Sequence, residues 1–206
     1  EQATSDAIKF YVDLQNNDWC PTQEQFAHTS ATEQFFSGQG AMFFAGSWDL
    51  ANLCSTYTDM NGKWDVAVLP KCPNPESGDG RAVISNSVSY ATAAEGKNKD
   101  TAMDFLKFLA SEEGQKIQGE SGVAIPAYNG LEDTWVNTFA ENGYDIHPEN
   151  IIPMFEYSVK YVNNPSRPSW EPKVEQTVLD IYAGNTSVDD GIQNMQDIVT
   201  EAIAED

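Results

Sequence analysis

Trp48 and Trp170 are the residues of this 206-residue chain whose type and setting best suit chemistry, and the chemistry is that of a binding surface. Each follows a serine suited to the N-cap of a helix, in Ser47-Trp48 and in Ser169-Trp170-Glu171-Pro172. Helical side chains lean toward their own N-terminus, so an indole in the first turn overhangs the helix end. It then presents a flat apolar face beside N–H groups that have no partner inside the helix. Two tryptophans in one local setting read as two walls of one site. Aromatics of the core or its rim would give the same pattern, since Trp is highly buried on average.

Other reactive groupings are thin. His28 and His147 stand apart from each other and from any Cys or acidic cluster at ligand spacing, so no metal site is expected. Gly38-Gln39-Gly40 lacks the third glycine of a dinucleotide fingerprint, and no Gly-Lys-Ser or Gly-Lys-Thr is present to cradle phosphates. Gly119-Glu120-Ser121-Gly122 lacks the second glycine of a nucleophile elbow and reads as a helix end. No catalytic residue and no cofactor are expected. Asp49, Glu156 and Glu171 could converge as acid and base around a sugar, which makes a glycosidase one alternative. Chance acidic pairs are abundant among 32 such residues, and acids at helix starts need no catalytic role. A surface adhesion module is the other alternative.

The 32 acidic residues against 11 basic ones give a formal charge of -21, which repels phosphate backbones and anionic membrane surfaces. Nucleic acid is therefore not an expected partner. Cys20, Cys54 and Cys72 are too few and too widely spaced for a C-x-x-C motif, and leave one disulfide or none. No run of eighteen apolar residues exists, and Glu1-Gln2-Ala3 is no signal peptide, so an export signal would lie outside this sequence.

The elements that must position the tryptophans follow from periodicity. Ala7, Ile8, Tyr11 and Leu14 predict a first helix with Thr4 or Ser5 as cap, and Ser30-Ala31-Thr32-Glu33 has the form of a capping box. Gly38 and Gly40 end that short helix; an apolar run, Ala41 to Ala45, reads as a strand, and Trp48 opens the next helix. Trp64 to Leu69 alternates and stops at Pro70, reading as a strand, and Lys71 to Arg81 is a loop suited to a crossing between structural units. Val83 to Ala93 reads as a strand or strand pair interrupted by Ser85-Asn86-Ser87. Helices are predicted on Ala102, Phe105, Leu106 and Leu109, then after Ser111, then on Leu131, Trp135, Val136 and Phe139 up to Asn142-Gly143. Ile151, Phe155, Val159 and Val162 predict a further helix, Val174, Val178 and Tyr182 the one carrying Trp170, and Ile192, Met195, Val199 and Ile203 the last. Asn163 to Pro168 is a stiff turn delivering Trp170, and Ser187-Val188-Asp189-Asp190 a capping box for the last helix.

Taken in order, Phe36-Ser37-Gly38-Gln39-Gly40-Ala41-Met42, Gly46-Ser47-Trp48 and Trp64-Asp65-Val66-Ala67-Val68-Leu69-Pro70 resemble the second half of an extracellular solute-binding protein of an ABC importer. The resemblance is to the sugar-binding family that includes the maltose-binding protein. It continues through Ser87 to Ala91, Asn98 to Leu109, Ser111-Glu112-Glu113-Gly114, Gly122 to Pro126 and the Trp170 helix, and so spans essentially the whole chain. It implies an α/β, helix-rich, two-lobed periplasmic-binding-protein-like fold of which this is the C-terminal portion. Residues 1–82 and 146–206 would belong to the C-terminal lobe and 83–145 to the N-terminal lobe. It implies a sugar or oligosaccharide held in the cleft between lobes and handed to ABC permease subunits. The location implied is extracellular, lipid-anchored at the cell surface or periplasmic. Trp48 and Trp170 correspond to aromatic platforms for sugar rings, Asn86 and Ser87 to hydroxyl contacts at a crossover, and Asp49 to a polar neighbour of the first platform. A sugar has apolar C–H faces and a hydroxyl rim, so a flat apolar wall with fixed polar groups suits it.

Overall fold

Helix α1 (Gln2–Asn16) forms on the predicted spacing, with Ile8 buried, but Thr4 and Ser5 lie inside it rather than capping it. The computed structural model describes residues 2–73, 75, 78–87, 89–161 and 164–204. Two compact units divide the chain: Glu1–Phe43, Asn74–Gly78 and Val162–Asp206 form one, Phe44–Pro73 and Asp79–Tyr161 the other.

In the first unit, α1 packs on α8 (Arg167–Tyr182) and α9 (Val188–Ala204), which form a helical hairpin turned by Gly184 at φ 75°. Ile8, Ile181 and Met195 make the core, joined by Val12, Val174, Val178, Tyr182, Val188 and Ile192. Gly191 lets α9 approach α8 closely, for a Cβ there would lie 2.5 Å from Ile181 Cδ1. The packed stripe on α9 ends at Met195, and Ile203, predicted to be buried, is exposed beyond it. The hydroxyl of Ser187 accepts from the Asp190 N–H and donates to the Asp190 carboxylate, as a cap for α9. Two short helices also belong here, α2 (Gln23–Phe26) and α3 (Ala31–Phe36). Both carry complete capping boxes, Thr22 with Gln25 and, as expected, Ser30 with Glu33.

In the second unit, α4 (Leu50–Thr56) supplies Leu50 and Cys54 to a core with Trp135 and Phe139 of α7 (Glu132–Glu141) and with Ile146. Trp135 is fully buried; its Nε1 donates to the Gly122 carbonyl at 3.0 Å, and its ring meets Phe139 edge-on at 5.1 Å. Helix α6 (Glu112–Glu120), capped by Ser111 as expected, packs on α7. Helix α5 (Lys99–Leu109) packs on α6 yet buries none of its side chains fully, and Phe105 is 58% exposed.

The strand expectations need correction. Strands among the described residues are β1 (Val83–Ser85) and β2 (Ser158–Lys160), paired in parallel with Ile84 opposite Val159. Residues 41–45 form no strand, and Met42 is 89% exposed. A strand needs a neighbour to take its backbone groups, and an apolar run cannot supply one. Trp64 to Leu69 does alternate, turning Trp64 and Val66 onto the core, but side chains rather than a ladder hold it. Beyond Ser85 the predicted strand does not continue, and Val88 lies outside the described residues. Around Pro153 the predicted helix gives way to a 3-10 segment, Ile152–Tyr157, followed by β2; Val162, the last of its predicted apolar positions, lies outside the described residues. Asn163 of the turn before Trp170 lies outside them too.

Candidate functional site

Trp48 sits in a 3-10 turn, Ser47–Asp49, that leads into α4. The expected cap is not made: Gly46 occupies the N-cap of the turn, and neither Ser47 nor Asp49 caps through its side chain. The turn itself uses the N–H groups of Asp49 and Leu50, which bond to the carbonyls of Gly46 and Ser47. Fewer free donors therefore flank the indole than an abrupt α-helix start would leave. The Trp48 side chain is 54% exposed, and its six-membered ring lies against Gly46, in the space a Cβ there would fill. Asp49 is half-buried beside it.

Asn86 and Ser87 follow the end of β1 and are exposed, in the same unit as Trp48 and Asp49. Trp170 belongs to the other unit. Its helix starts earlier than expected, at Arg167, with Ser166 rather than Ser169 at the N-cap. The Ser169 hydroxyl donates to the Ser166 carbonyl at 2.7 Å, and Pro172 falls inside the helix. Trp170 is half-buried in the first turn, with its Nε1 donating to Asn164 Oδ1 at 3.2 Å. Arg167 and Glu171 pair one turn apart at 2.7 Å along the same helix start. Ser166 Oγ is buried with no hydrogen-bond partner among the described residues.

Three groups escaped the sequence reading. Asp65 Oδ2 lies 2.6 Å from His147 Nδ1, and Asp65 Oδ1 accepts from the N–H groups of His147 and Val66. Asn61 and Asn150 add bonds from the same loop pair, Asn61 Nδ2 to the Gly143 carbonyl and Asn150 Nδ2 to the Val66 carbonyl. Partial burial opposes ionisation of Asp65, but the backbone N–H groups of His147 and Val66 and the His147 ring outweigh it and hold the carboxyl below its ordinary range. The Asp65 carboxylate raises His147, with smaller help from Glu149 and Asp145. Partners 82 residues apart leave no local signal. Asn164 and Gly46, by contrast, stand six and two residues before the tryptophans they touch.

All three cysteines are free. Burial pushes the Cys54 thiol up to about 11 and raises Cys20 as well. Among the described residues no group of three or more His, Cys, Asp or Glu side chains could hold a metal ion. No helix among them is long and apolar enough to cross a membrane.

The described residues form a helix-rich α/β structure with a small two-stranded parallel sheet. The chain belongs to the bacterial extracellular solute-binding protein family, whose model matches residues 1–116. No curated protein matches it. Membership gives it a substrate-binding role in ABC transport, with a solute and a membrane permease as partners and a place outside the cytoplasm. Proteins of this family are typically not enzymes.

Proposed function

We propose that the solute is a sugar or oligosaccharide and that Trp48 and Trp170 are the aromatic platforms on which its rings stack. The observation that carries this reading is the exposure of Trp48. Leaving most of an indole in water forgoes burial worth about 2–3 kcal/mol, and a ligand face that covers it recovers part of that. Asn86 and Ser87, exposed and polar, are proposed hydroxyl partners, and Asp49 a polar group at the edge of the first platform. Trp170 is held by a hydrogen bond at its ring nitrogen, a contact at the edge of the ring rather than on its faces.

In the intact receptor the sugar would lie in a cleft between two lobes and close it by touching both sides. The lobe division, 1–82 with 146–206 on one side and 83–145 on the other, belongs to this proposal. Attachment to the cell surface by a lipid anchor, or free diffusion in a periplasm, completes the reading.

Calorimetric titration of the full-length receptor with gluco-, galacto-, manno- and xylo-oligosaccharides, and with amino acids and peptides, tests the solute class. The expected result is binding of one sugar series and a loss of at least tenfold, about 1.4 kcal/mol, in Trp48→Ala and in Trp170→Ala. Unchanged sugar affinity in both variants, or tight binding of an amino acid or peptide only, overturns it. Turnover of the bound oligosaccharide would favour a glycosidase, although Glu171, one of its three acids, is engaged by Arg167.

A further inference from the structure

We infer that Gly46 is a positioning residue for Trp48: its missing side chain is the seat that fixes the indole with one face covered and one face presented to ligand. The inference rests on the reading of Trp48 as a platform. The backbone of Gly46 has φ −90° and ψ 154°, ordinary extended geometry that any L residue adopts. Glycine is therefore not required here by the chain's path. It is required by the ring, since a Cβ built at Gly46 coincides with the space held by Cζ2, Cε2 and Cη2 of Trp48. Contacts that close are never made by real Cβ atoms, and either the ring or the backbone has to move.

The seat explains how an exposed indole keeps one orientation. An aromatic side chain on a surface turn has several staggered rotamers of similar energy, and ordering it on ligand binding costs conformational entropy. Resting the benzo ring on the Gly46 backbone removes the alternatives before the ligand arrives. It also makes the platform one-sided, since the face against Gly46 is closed to a sugar. The geometry thus limits stacking at Trp48 to a single ring on the open face.

The test is a double-mutant cycle in the full-length receptor with Gly46→Ala, Trp48→Ala and the pair together. Thermal unfolding reads the seat without any ligand. The expected result is a lower Tm for Gly46→Ala in the parent and no further change when it is added to Trp48→Ala, because removing the indole vacates the space. If Gly46→Ala alone does not fold but the double variant does, that too is the expected coupling. An equal loss from Gly46→Ala in both backgrounds, or no loss in either, overturns the inference. The indole NH cross-peak of Trp48 in an NMR spectrum should shift or broaden in Gly46→Ala, and an unmoved peak counts against the seat. Titration of the same variants with the four oligosaccharide series separates this inference from the one beneath it. Loss of tenfold or more in Gly46→Ala, with no further loss in the double variant, is the expected outcome. If the cycle shows coupling while Trp48→Ala binds as tightly as the parent, the seat stands and the platform reading falls.

Discussion

Trp135→Phe should destabilise the second unit by about 3 kcal/mol. The indole nitrogen donates to a buried Gly122 carbonyl at 3.0 Å, and phenylalanine leaves that carbonyl without its partner. An unsatisfied buried acceptor costs about 1–3 kcal/mol. The second ring of the indole also disappears from a site with no solvent exposure, packed edge-on to Phe139 and surrounded by Leu50, Cys54 and Ile146. A cavity of that kind adds about 1–2 kcal/mol when the surroundings relax only in part. The sum is a sizeable share of the 5–15 kcal/mol that typically holds a domain together. Urea unfolding gives the loss as a shift in midpoint at constant m-value, and amide exchange on α6 and α7 assigns it to this unit. A loss below about 1 kcal/mol would refute the reasoning, for it would mean that the Gly122 carbonyl finds another partner and the core closes over the gap.

Three further expectations follow from the same geometry. The Asp65–His147 pair should make stability depend on pH: the raised His147 contributes fully below its ordinary value of 6.5 and less as pH climbs through the raised one. The depressed Asp65 contributes above its ordinary 3.8 and less as pH falls through the lowered one, so the stability gap between parent and His147→Gln should peak between about pH 4 and 6.5 and narrow on both sides. A gap that widens above pH 8 in thermal melts would contradict this. Ser111→Ala should cost about 1 kcal/mol because its hydroxyl caps α6, whereas Ser166→Ala should be neutral or stabilising because its buried hydroxyl caps nothing and has no partner among the described residues. Equal losses in denaturant midpoints would show that Ser166 is bonded after all. Thiol labelling with a disulfide reagent at pH 8 should take Cys72 first, Cys20 next and Cys54 only on unfolding, since exposed thiolate is what reacts; early labelling of Cys54 would refute its burial.

Helices were legible wherever a cap and a 3.6-residue stripe agreed. Ser30 with Glu33, Ser111, and the stripes through Trp135 and Val178 all stand where the residue pattern puts them. Strands were not, because an apolar or alternating run records which side chains turn inward and says nothing about a neighbour to share its backbone bonds. Trp64 and Val66 turn inward as their alternation predicts, yet Asn150 and Asp65 do the holding. At the tryptophans, residue type was legible but the local device was not. A serine before each suggested a cap, and the contacts instead fall on Gly46 and Asn164.

The placement of α1 bears on when this protein can finish folding. Ile8 has its core partners at Ile181 and Met195, so α1 stays unsatisfied until both of those residues have been made. At ordinary synthesis rates of about 5–20 residues per second, that wait lasts about ten to forty seconds. For a protein whose place is outside the cytoplasm, such a delay is useful: a helix that must wait for partners so far along the chain stays threadable through a narrow export channel in the meantime.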